Sequence, residues 1–355
     1  MQICSKCITP ATWPGITFDA HGVCSLCRAF ERRFGAVLKD PEWWKRASER
    51  LDRILEWAKR KKGGAYDVLV PVSGGKDSLN VLYELCVEKK MSVLAYTYDN
   101  GLMSEQAIRN LETATRALGV SHVMVRHAFQ IDLVRHFLKK TGNICGACFV
   151  PMVFTAYEVA RRFGISLVVF GISRRLDPFL PEGKNPSHFW NVVNDGFEAE
   201  QLRGAWCSNP VFQWVKDTIT GRIKVICLPD YMEWDDDRIK EKLLSNMGVT
   251  LGEEHSDCIG SGYADYLAFK RYGFSINAIK LSALVRNGKM GREEAVKRAK
   301  EVRPKGVPDS FYDLAKRLSV SIEDLMLAMS IDESKYRKGV MNYLAELYRR
   351  HFLAR

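Results

Sequence analysis

Hydrophobic and polar positions follow two alternating patterns along the middle of the chain. Short apolar runs rich in β-branched residues have the length and composition of buried strands. Between them, apolar residues recur every three or four positions, which is the spacing of an amphipathic helix. Strands are predicted at residues 67–72, 92–98, 122–125 and 166–170, and helices at 78–89, 105–118 and 150–163. Strands that alternate with helices predict a parallel sheet covered by helices on both faces.

The regions on either side of this alternation have patterns of their own. Residues 40–62 are predicted to form a helix, whereas residues 178–215, with aromatic side chains among scattered proline and glycine, are predicted to be loop. Further helices are predicted at 236–246, 263–271, 292–300, 309–317, 321–330 and 334–348. The predicted domains are a cysteine-rich module (1–35), a linker helix (36–64), a doubly wound α/β domain (65–234) and a helical C-terminal domain (235–355).

Composition and charge indicate the compartment of the protein and the charge of its partners. Hydrophobic residues make up 46% of the 355 residues, an ordinary share for a globular protein. No stretch approaches the roughly 18 consecutive apolar residues of a membrane span. The opening MQICSKCITP lacks the basic and apolar regions of a signal peptide, so we expect a cytoplasmic protein without a membrane contact. The net charge of +11 favours anionic partners, although no RNA-binding motif is recognised.

The segment Ser73-Gly-Gly-Lys-Asp-Ser78 joins the first predicted strand to the first predicted helix. Gly74 and Gly75 permit backbone conformations closed to other residues and let a ligand approach closely. Amide groups at a helix N-terminus face an anion, and the serines add hydroxyl donors. Lys76 supplies a positive charge for phosphate, and Asp77 can help to hold a Mg²⁺ that bridges phosphates. The segment is therefore predicted to be a phosphate-binding loop.

The loop lacks the G-x-x-x-x-G-K-[ST] pattern of nucleoside triphosphatases that cleave at the γ-phosphate. It resembles instead the SGG-x-DS loop of PP-loop enzymes, the N-type ATP pyrophosphatases with a HUP-like fold, which release pyrophosphate as they transfer AMP to a substrate. The resemblance implies that Lys76 and Asp77 are catalytic and that ATP binds with Mg²⁺. The nucleotide-binding residues it implies are Ser73, Gly74, Gly75, Lys76, Asp77, Ser78, Asp99 after the second strand and Gly171 after the fourth.

Four cysteines near the start of the chain form two C-x-x-C pairs. The first pair is Cys4 and Cys7, and the second is Cys24 and Cys27. Two such pairs at this spacing predict a four-thiolate tetrahedral site, most often for Zn²⁺, in a zinc ribbon-like module. Because residues 1–35 are too few to bury a core, the metal would take its place.

Three later cysteines suggest a second site. Cys145 and Cys148 form another C-x-x-C pair, and Cys258 lies far downstream. A pair with one distant cysteine resembles the three-thiolate [4Fe-4S] site of iron–sulfur-dependent PP-loop tRNA thiolases. Three thiolates would leave one iron open for substrate or sulfide. The alternative is a pair without metal, with Cys258 buried as a small apolar residue.

Motifs at both ends of the chain narrow the prediction further. They are Cys4-Ser-Lys-Cys-Ile-Thr-Pro10, Ile16-Thr-Phe-Asp19, Gly22-Val-Cys-Ser-Leu-Cys27, Pro229–Asp235, Phe269–Phe274 and Val285–Ala295. Together they resemble the N-acetyl sugar amidotransferase family of bacterial surface-polysaccharide and related sugar biosynthesis, and the likeness covers most of the chain.

This resemblance implies an amidotransferase. The enzyme would adenylylate the oxygen of an N-acetyl group on a nucleotide-activated sugar, and ammonia would then displace AMP to leave an acetamidino group. Separate glutaminase and synthase-like subunits would supply the ammonia, because the chain has no glutaminase motif. Arg174 and Arg175 are candidates for contacting the sugar nucleotide, with plain surface charge as the alternative.

Two other hypotheses stay open. The first is a PP-loop sulfurtransferase that acts on tRNA or a small molecule through Cys145, Cys148 and Cys258. The second is a non-enzymatic zinc-ribbon adaptor with an inactive nucleotide fold, against which the intact Ser73–Ser78 loop argues.

Overall fold

A parallel sheet of five strands lies at the centre of the protein, in the order β3-β2-β1-β4-β5. The computed structural model describes residues 2–35, 40–173, 186–198, 202, 206, 210–251 and 257–337. The strands are β1 (Val68–Pro71), β2 (Val93–Tyr98), β3 (Ser121–Val125), β4 (Leu167–Phe170) and β5 (Lys224–Cys227). Every residue of β1, β2 and β4 is buried, as expected of strands that are covered on both faces.

Helices surround the sheet and make up most of the C-terminal part of the chain. Those before and between the strands are α1 (Ser25–Phe30), α2 (Trp43–Lys61), α3 (Lys76–Tyr83), α4 (Glu105–Leu118), α5 (Gln130–Thr141), α6 (Cys145–Arg162), α7 (Pro186–Val193) and α8 (Pro210–Ile219). After β5 follow α9 (Asp236–Met247), α10 (Ser261–Tyr272), α11 (Ile276–Arg286), α12 (Arg292–Glu301), α13 (Ser310–Leu318) and α14 (Ile322–Ala328). Among the described residues, no helix is both long enough and apolar enough to cross a membrane.

Two hydrophobic cores cover the two faces of the sheet because successive side chains of a strand point to opposite sides. Val68 and Val70 of β1 pack on one face against α2, α3, α4 and α9. Leu69 of β1 and Val168 of β4 pack on the other face against α6. A third core joins α5 and α6 to α10, α13 and α14. The C-terminal helices are thus packed directly onto the α/β region.

The strand order puts a change of direction beside β1. From β1 the chain builds β2 and β3 on one side, and it then returns to build β4 and β5 on the other. β1 is hydrogen-bonded to both β2 and β4. Doubly wound sheets bind their ligands at the carboxyl ends of the strands at such a point. The predicted phosphate loop follows β1, and Gly171 follows β4, so both lie at this place.

The predicted α/β architecture is confirmed, including the parallel sheet and the helices on both faces. The predicted helix over 105–118 is α4, whose N-cap Ser104 accepts a hydrogen bond from the amide of Ala107. The helix predicted over 78–89 is α3 followed by a π-helical turn at Glu84–Glu88. β5, α5 and α11 had not been predicted.

Two sequence-based expectations are wrong. Residues 178–215 are not loop throughout, because they include α7 and the first part of α8. In addition, α6 begins at Cys145, so the C-x-x-C pair lies in its first turn. Pro151 lies inside α6 and cannot donate to the carbonyl of Ala147. The side-chain amide of Gln130 donates to that carbonyl at 3.0 Å, which satisfies it.

Several predictions fall outside the described residues. They concern Arg174, Arg175 and most of the helix expected over 334–348, of which Ser334–Arg337 form a 3₁₀ turn. The division of the chain into four domains stays a prediction.

Candidate active site

The phosphate loop, Ser73–Ser78, connects the end of β1 to the start of α3. The hydroxyl of Ser78 closes it, since it accepts from the amide of Ser73 at 3.1 Å and donates to the carbonyl of Gly75 at 3.0 Å. Gly74 has φ +82°, and a Cβ there would lie 2.3 Å from the carbonyl oxygen of Ala107. Only glycine fits this position. The loop thus presents the N-terminus of α3, which attracts anions, at the switch point of the sheet.

Gly171 lies against the same loop at the end of β4. A Cβ on Gly171 would be 2.8 Å from the backbone carbonyl of Asp77 and 3.1 Å from the amide nitrogen of Ser78. The missing side chain therefore lets the end of β4 pack directly on the phosphate loop. Sequence positions 73–78 and 171 come together in the fold, while their contact with a nucleotide stays a prediction.

Replacing Gly171 by alanine is expected to weaken ATP binding about tenfold, because the new methyl group pushes on the backbone of Asp77. The φ of Gly171 is outside the left-handed region, so steric pressure on the loop is the main effect. Calorimetric titration with ATP measures the change. Gly306→Ala is the matched control, since a Cβ at Gly306 meets open space. Equal affinity of the Gly171→Ala and Gly306→Ala proteins would show that the contact is irrelevant to ATP.

The charged side chains of the loop are held by residues just before and at the start of α9. The ammonium group of Lys76 lies 3.0 Å from Oδ1 of Asp77 and also binds Asp236. Burial alone would lower the pKa of Lys76, but the charges of Asp77 and Asp236 outweigh it and raise the pKa. The indole Nε1 of Trp234 donates to Oδ1 of Asp77 at 2.8 Å. Lys76 is therefore a fixed cation at neutral pH.

A third carboxylate, that of Asp257, also lies at the loop. A Cβ on Gly75 would be 3.1 Å from its Oδ2, and the hydroxyl of Ser73 hydrogen-bonds to it. Burial raises the pKa of Asp257, and the charge of Asp77 acts in the same direction. The amide of Ser104 donates to its backbone carbonyl at 3.1 Å and fixes its place. Carboxylate oxygens beside a phosphate loop are suitable ligands for the Mg²⁺ that accompanies ATP.

Asp99, at the end of β2, is a buried carboxylate with a charged partner. Its Oδ1 accepts from the amide of Gly101 at 2.9 Å, and its Oδ2 accepts from Nε of Arg126 at 2.8 Å. The side chain of Arg126 is 66% exposed at the end of β3, so the pair presents a guanidinium group at the carboxyl edge of the sheet. The predicted contact between Asp99 and the nucleotide stays a prediction.

The four N-terminal cysteines form one buried cluster. Cys4, Cys7, Cys24 and Cys27 place their sulfurs within 4.8 Å of one another. The Sγ atoms of Cys4 and Cys27 are 3.8 Å apart, as are those of Cys7 and Cys24. A tetrahedral ion with metal–sulfur bonds of about 2.3 Å requires sulfurs about 3.8 Å apart, so the cluster fits such an ion.

The charge state of the cluster supports a cation. Hydrogen bonds from the thiols of Cys24 and Cys27 lower the pKa of Cys7, while the pKa of Cys27 is raised because its proton is shared with Cys24 and Cys7. Without a metal, the sulfurs of Cys7, Cys24 and Cys27 therefore share protons. A divalent cation would let all four ionise, which is the usual coupling between metal binding and thiol deprotonation.

The later cysteines also approach one another, at the carboxyl edge of the sheet. Burial raises the pKa of Cys148 and Cys258, that of Cys258 to about 12, and each feels the charge of Cys145. The amide of Gln130 lies 3.7 Å from the sulfur of Cys148. Cys258 directly follows Asp257 of the phosphate site. Among the described residues, only the N-terminal cluster has the spacing of ligands to a single ion.

A cavity of about 520 Å³ lies at the opposite edge of the sheet, away from this chemistry. Its lining includes Trp57, Lys61, Arg222 and Lys224. α2 ends at Lys61 and α6 ends at Arg162, so basic groups here complement the negative ends of two helices. The candidate active site is therefore the predicted phosphate loop, where the strands end.

Four residues of this site were missed from the sequence. Trp234 and Asp236 lie just before and at the start of α9, where the sequence indicated only a family motif and a helix. Asp257 lies in a segment without a recognised motif, directly before Cys258. Arg126 directly follows β3, so the available signal for this residue was that polar residues at the ends of parallel strands converge.

The structure shows an α/β protein with a glycine-rich loop after β1, at the switch point of a parallel sheet, and a buried cluster of four cysteines near the start of the chain. Residues 241–347 match the family described as "LPS biosynthesis protein WbpG-like, C-terminal domain". The uncharacterized protein MJ1599 of Methanocaldococcus jannaschii is 24% identical over 323 residues, which are 90% of this chain and 99% of that protein. Similarity to this relative therefore extends over nearly the whole chain.

Three solved structures resemble parts of the fold. The U34-tRNA thiolase NcsA of Methanococcus maripaludis, with its [4Fe-4S] cluster, has a TM-score of 0.34 and 14% identity over 86% of this chain and 90% of that chain. The NH₃-dependent NAD synthetase of Campylobacter jejuni has a TM-score of 0.30 and 14% identity over 58% and 93%. The NMN synthetase of Francisella tularensis has a TM-score of 0.31 and 15% identity over 59% and 98%.

Proposed function

We propose that this protein is an ATP-dependent amidotransferase that forms AMP and pyrophosphate and acts on an N-acetyl group of a nucleotide-activated sugar. The observation that carries the ATP-dependent part is the loop between β1 and α3. Its Lys76 is an oriented cation, its Asp77 is held by the indole of Trp234, and Gly171 packs against it. Such a loop suits a substrate with several phosphates more than any single neutral ligand.

The chemistry follows from where the phosphates would lie. ATP would place its β- and γ-phosphates at the N-terminus of α3, with Lys76 against the charge that develops on the leaving pyrophosphate. The amide oxygen of the N-acetyl group attacks the α-phosphorus, and the bond from that phosphorus to pyrophosphate breaks. Ammonia then adds to the activated carbon, a proton is lost, and AMP leaves with the former amide oxygen. We propose that Asp77, Asp236 and Asp257 would hold Mg²⁺, which would neutralise phosphate charge.

The substrate class is supported by the C-terminal third of the chain. Residues 241–347 match a family whose description names LPS biosynthesis, and that process consumes nucleotide-activated sugars. The net charge of +11 suits an anionic substrate of this kind. We propose that glutaminase and synthase-like subunits supply the ammonia and that the reaction takes place in the cytoplasm.

Formation of AMP tests this proposal. The purified protein would be incubated with ATP, Mg²⁺, ammonium and each member of a panel of nucleotide-activated N-acetyl sugars, with AMP and pyrophosphate measured. We expect AMP formation to require both the sugar nucleotide and ammonium. Mass spectrometry should show a product in which NH replaces one oxygen. AMP formation at the same rate without the sugar nucleotide and without ammonium would contradict the proposal.

A second candidate is a PP-loop sulfurtransferase that acts on tRNA or a small molecule. The observation that favours it is that Cys145, Cys148 and Cys258 lie near one another beside the phosphate loop. Asp257, which contacts the loop, directly precedes Cys258 in the chain. Three thiolates can serve as ligands of a cluster of several irons, because a cluster spreads its ligands over different metal atoms. In this case the adenylylated oxygen would be displaced by sulfide.

Metal and sulfide content after anaerobic purification separates the two candidates. For the sulfurtransferase, we expect several irons with matching acid-labile sulfide, and their loss in Cys145→Ser but not in Cys86→Ser. Cys86 is a suitable control because it is a half-buried cysteine in the π-helical turn after α3. A content of about one zinc per chain with no iron would contradict the sulfurtransferase hypothesis and agree with the amidotransferase hypothesis.

A further inference from the structure

The turn between α11 and α12 is held from both sides by the N-terminal cysteine cluster. Arg286, the last residue of α11, donates to the sulfur of Cys7 at 3.5 Å. Arg292, the first residue of α12, donates from Nη2 to the carbonyl of Cys4 at 3.1 Å and from Nε to that of Cys7 at 3.1 Å. Val285 packs on the same cluster. Two arginines placed in this way fix the turn, and they would offset the negative charge of four thiolates if the cluster held a metal ion.

Lys289, in the middle of this turn, connects it to the phosphate loop. Its ammonium group donates to the backbone carbonyl of Trp234. The same Trp234 is 3% exposed, and its indole donates to Oδ1 of Asp77. Asp236, two residues further on, binds Lys76. Hydrogen bonds, together with the backbone of the turn and of residues 234–236, therefore connect the cysteine cluster to both charged residues of the loop.

We infer that Trp234 and Lys289 are positioning residues for the phosphate loop, and that the cysteine cluster acts on ATP binding through them. The inference rests on the proposed ATP site. The side chain of Asp77 is 48% exposed, so its rotamer is fixed by its two hydrogen bonds, one from Lys76 and one from the indole of Trp234. A loop that is already ordered loses less conformational entropy when a ligand binds, which raises its affinity. Neither Trp234 nor Lys289 needs to contact the nucleotide.

Two conservative substitutions test the positioning role by titration calorimetry with Mg²⁺ and ATP. Trp234→Phe keeps the buried ring and removes the N–H, and Lys289→Met keeps the aliphatic chain and removes the charge. Each is expected to raise the Kd for ATP about tenfold, because each removes one hydrogen bond made by or to a charged group. Lys289→Arg is expected to restore most of the affinity.

The opposite edge of the sheet offers a matched pair of controls. There the ammonium group of Lys224 lies 4.0 Å from the ring centroid of Trp57. Trp57→Phe and Lys224→Met therefore make the same two chemical changes, also at a contacting tryptophan–lysine pair, and are expected to leave the Kd for ATP unchanged. Thermal unfolding of the free proteins measures any general loss of stability.

The relay from the cysteine cluster is tested by a double-mutant cycle. Arg292→Met should raise the Kd for ATP in the wild-type background but not in the Lys289→Met background, because both act on the same contact. Metal content is measured in each protein, so that loosening of the turn is separated from metal loss.

The outcomes separate this inference from the proposed function. Wild-type protein that binds no ATP overturns the proposed function and, with it, the inference. If the wild type binds ATP but Trp234→Phe and Lys289→Met bind it equally tightly, the positioning role is overturned and the ATP site stands. If the effects of Arg292→Met and Lys289→Met simply add, the relay from the cluster is overturned.

Discussion

Replacing Lys76 by methionine should lower the rate of AMP formation by about 10²–10³-fold while the protein remains folded. Lys76 already balances the carboxylates of Asp77 and Asp236, and in the proposed reaction it also meets the charge of the leaving pyrophosphate. In the variant, both carboxylates would face the phosphates without this cation, so the transition state loses an attraction and gains a repulsion. The measurement is the rate of AMP and pyrophosphate release with saturating co-substrates.

A matched lysine in the same region controls for general effects. Lys240 is an exposed residue of α9 whose nearest carboxylate, that of Asp237, is 3.9 Å away. Lys240→Met should therefore retain the wild-type rate. A Lys76→Met protein that still forms AMP at the rate of Lys240→Met would place the chemistry away from the loop.

The elements that the sequence predicted best are those whose pattern is fixed by burial on one side. α4 matches its predicted bounds because its apolar stripe is flanked by a serine N-cap and a C-terminal Gly119 in the left-handed region. β5 was missed because it is a short edge strand, and two of its four residues are exposed. The start of α6 was misplaced because Pro151 argues against a helix there. Only the tertiary contact from Gln130 makes that proline acceptable.

In the candidate site, residues adjacent in the sequence were predicted, whereas residues from distant segments were not. Ser73–Ser78 is contiguous, so the sequence carries its whole chemistry, and the structure adds only its geometry. Trp234, Asp257 and Lys289 come from segments far along the chain, and no local pattern marks them as neighbours of the loop. Their role depends on how α9, α10 and the turn after α11 pack, which is a property of the assembled fold.

The cysteines show which metal sites can be predicted from the spacing of residues in the sequence. Two C-x-x-C pairs predicted a four-sulfur cluster, and the structure brings those four sulfurs together. For Cys145, Cys148 and Cys258 the sequence left a metal site and a simple buried position open. The structure brings the three residues near one another and beside the phosphate loop, which gives the sulfurtransferase its place as second candidate.

Replacing Cys24 by serine should remove the metal of the N-terminal module and unfold that module. The sulfur of Cys24 also caps α1 by accepting from the amide of Cys27, and serine is itself a good N-cap. The substitution therefore keeps the cap and removes only the thiolate. Because structural zinc contributes about 10–16 kcal/mol to the folding of small zinc modules, a three-thiolate remnant should hold the metal far more weakly. Metal analysis should fall from about one zinc per chain to near zero.

Loss of the module should also be visible in the rest of the protein. Arg286 and Arg292 would lose their partners on the cluster, so hydrogen exchange should increase in the turn between α11 and α12 as well as in residues 2–35. The central sheet, which has its own cores, should keep its protection. Cys86→Ser, a cysteine outside the cluster, should retain zinc and normal exchange. A Cys24→Ser protein with a full complement of zinc and unchanged exchange would mean that the four sulfurs, despite their spacing, do not hold the metal.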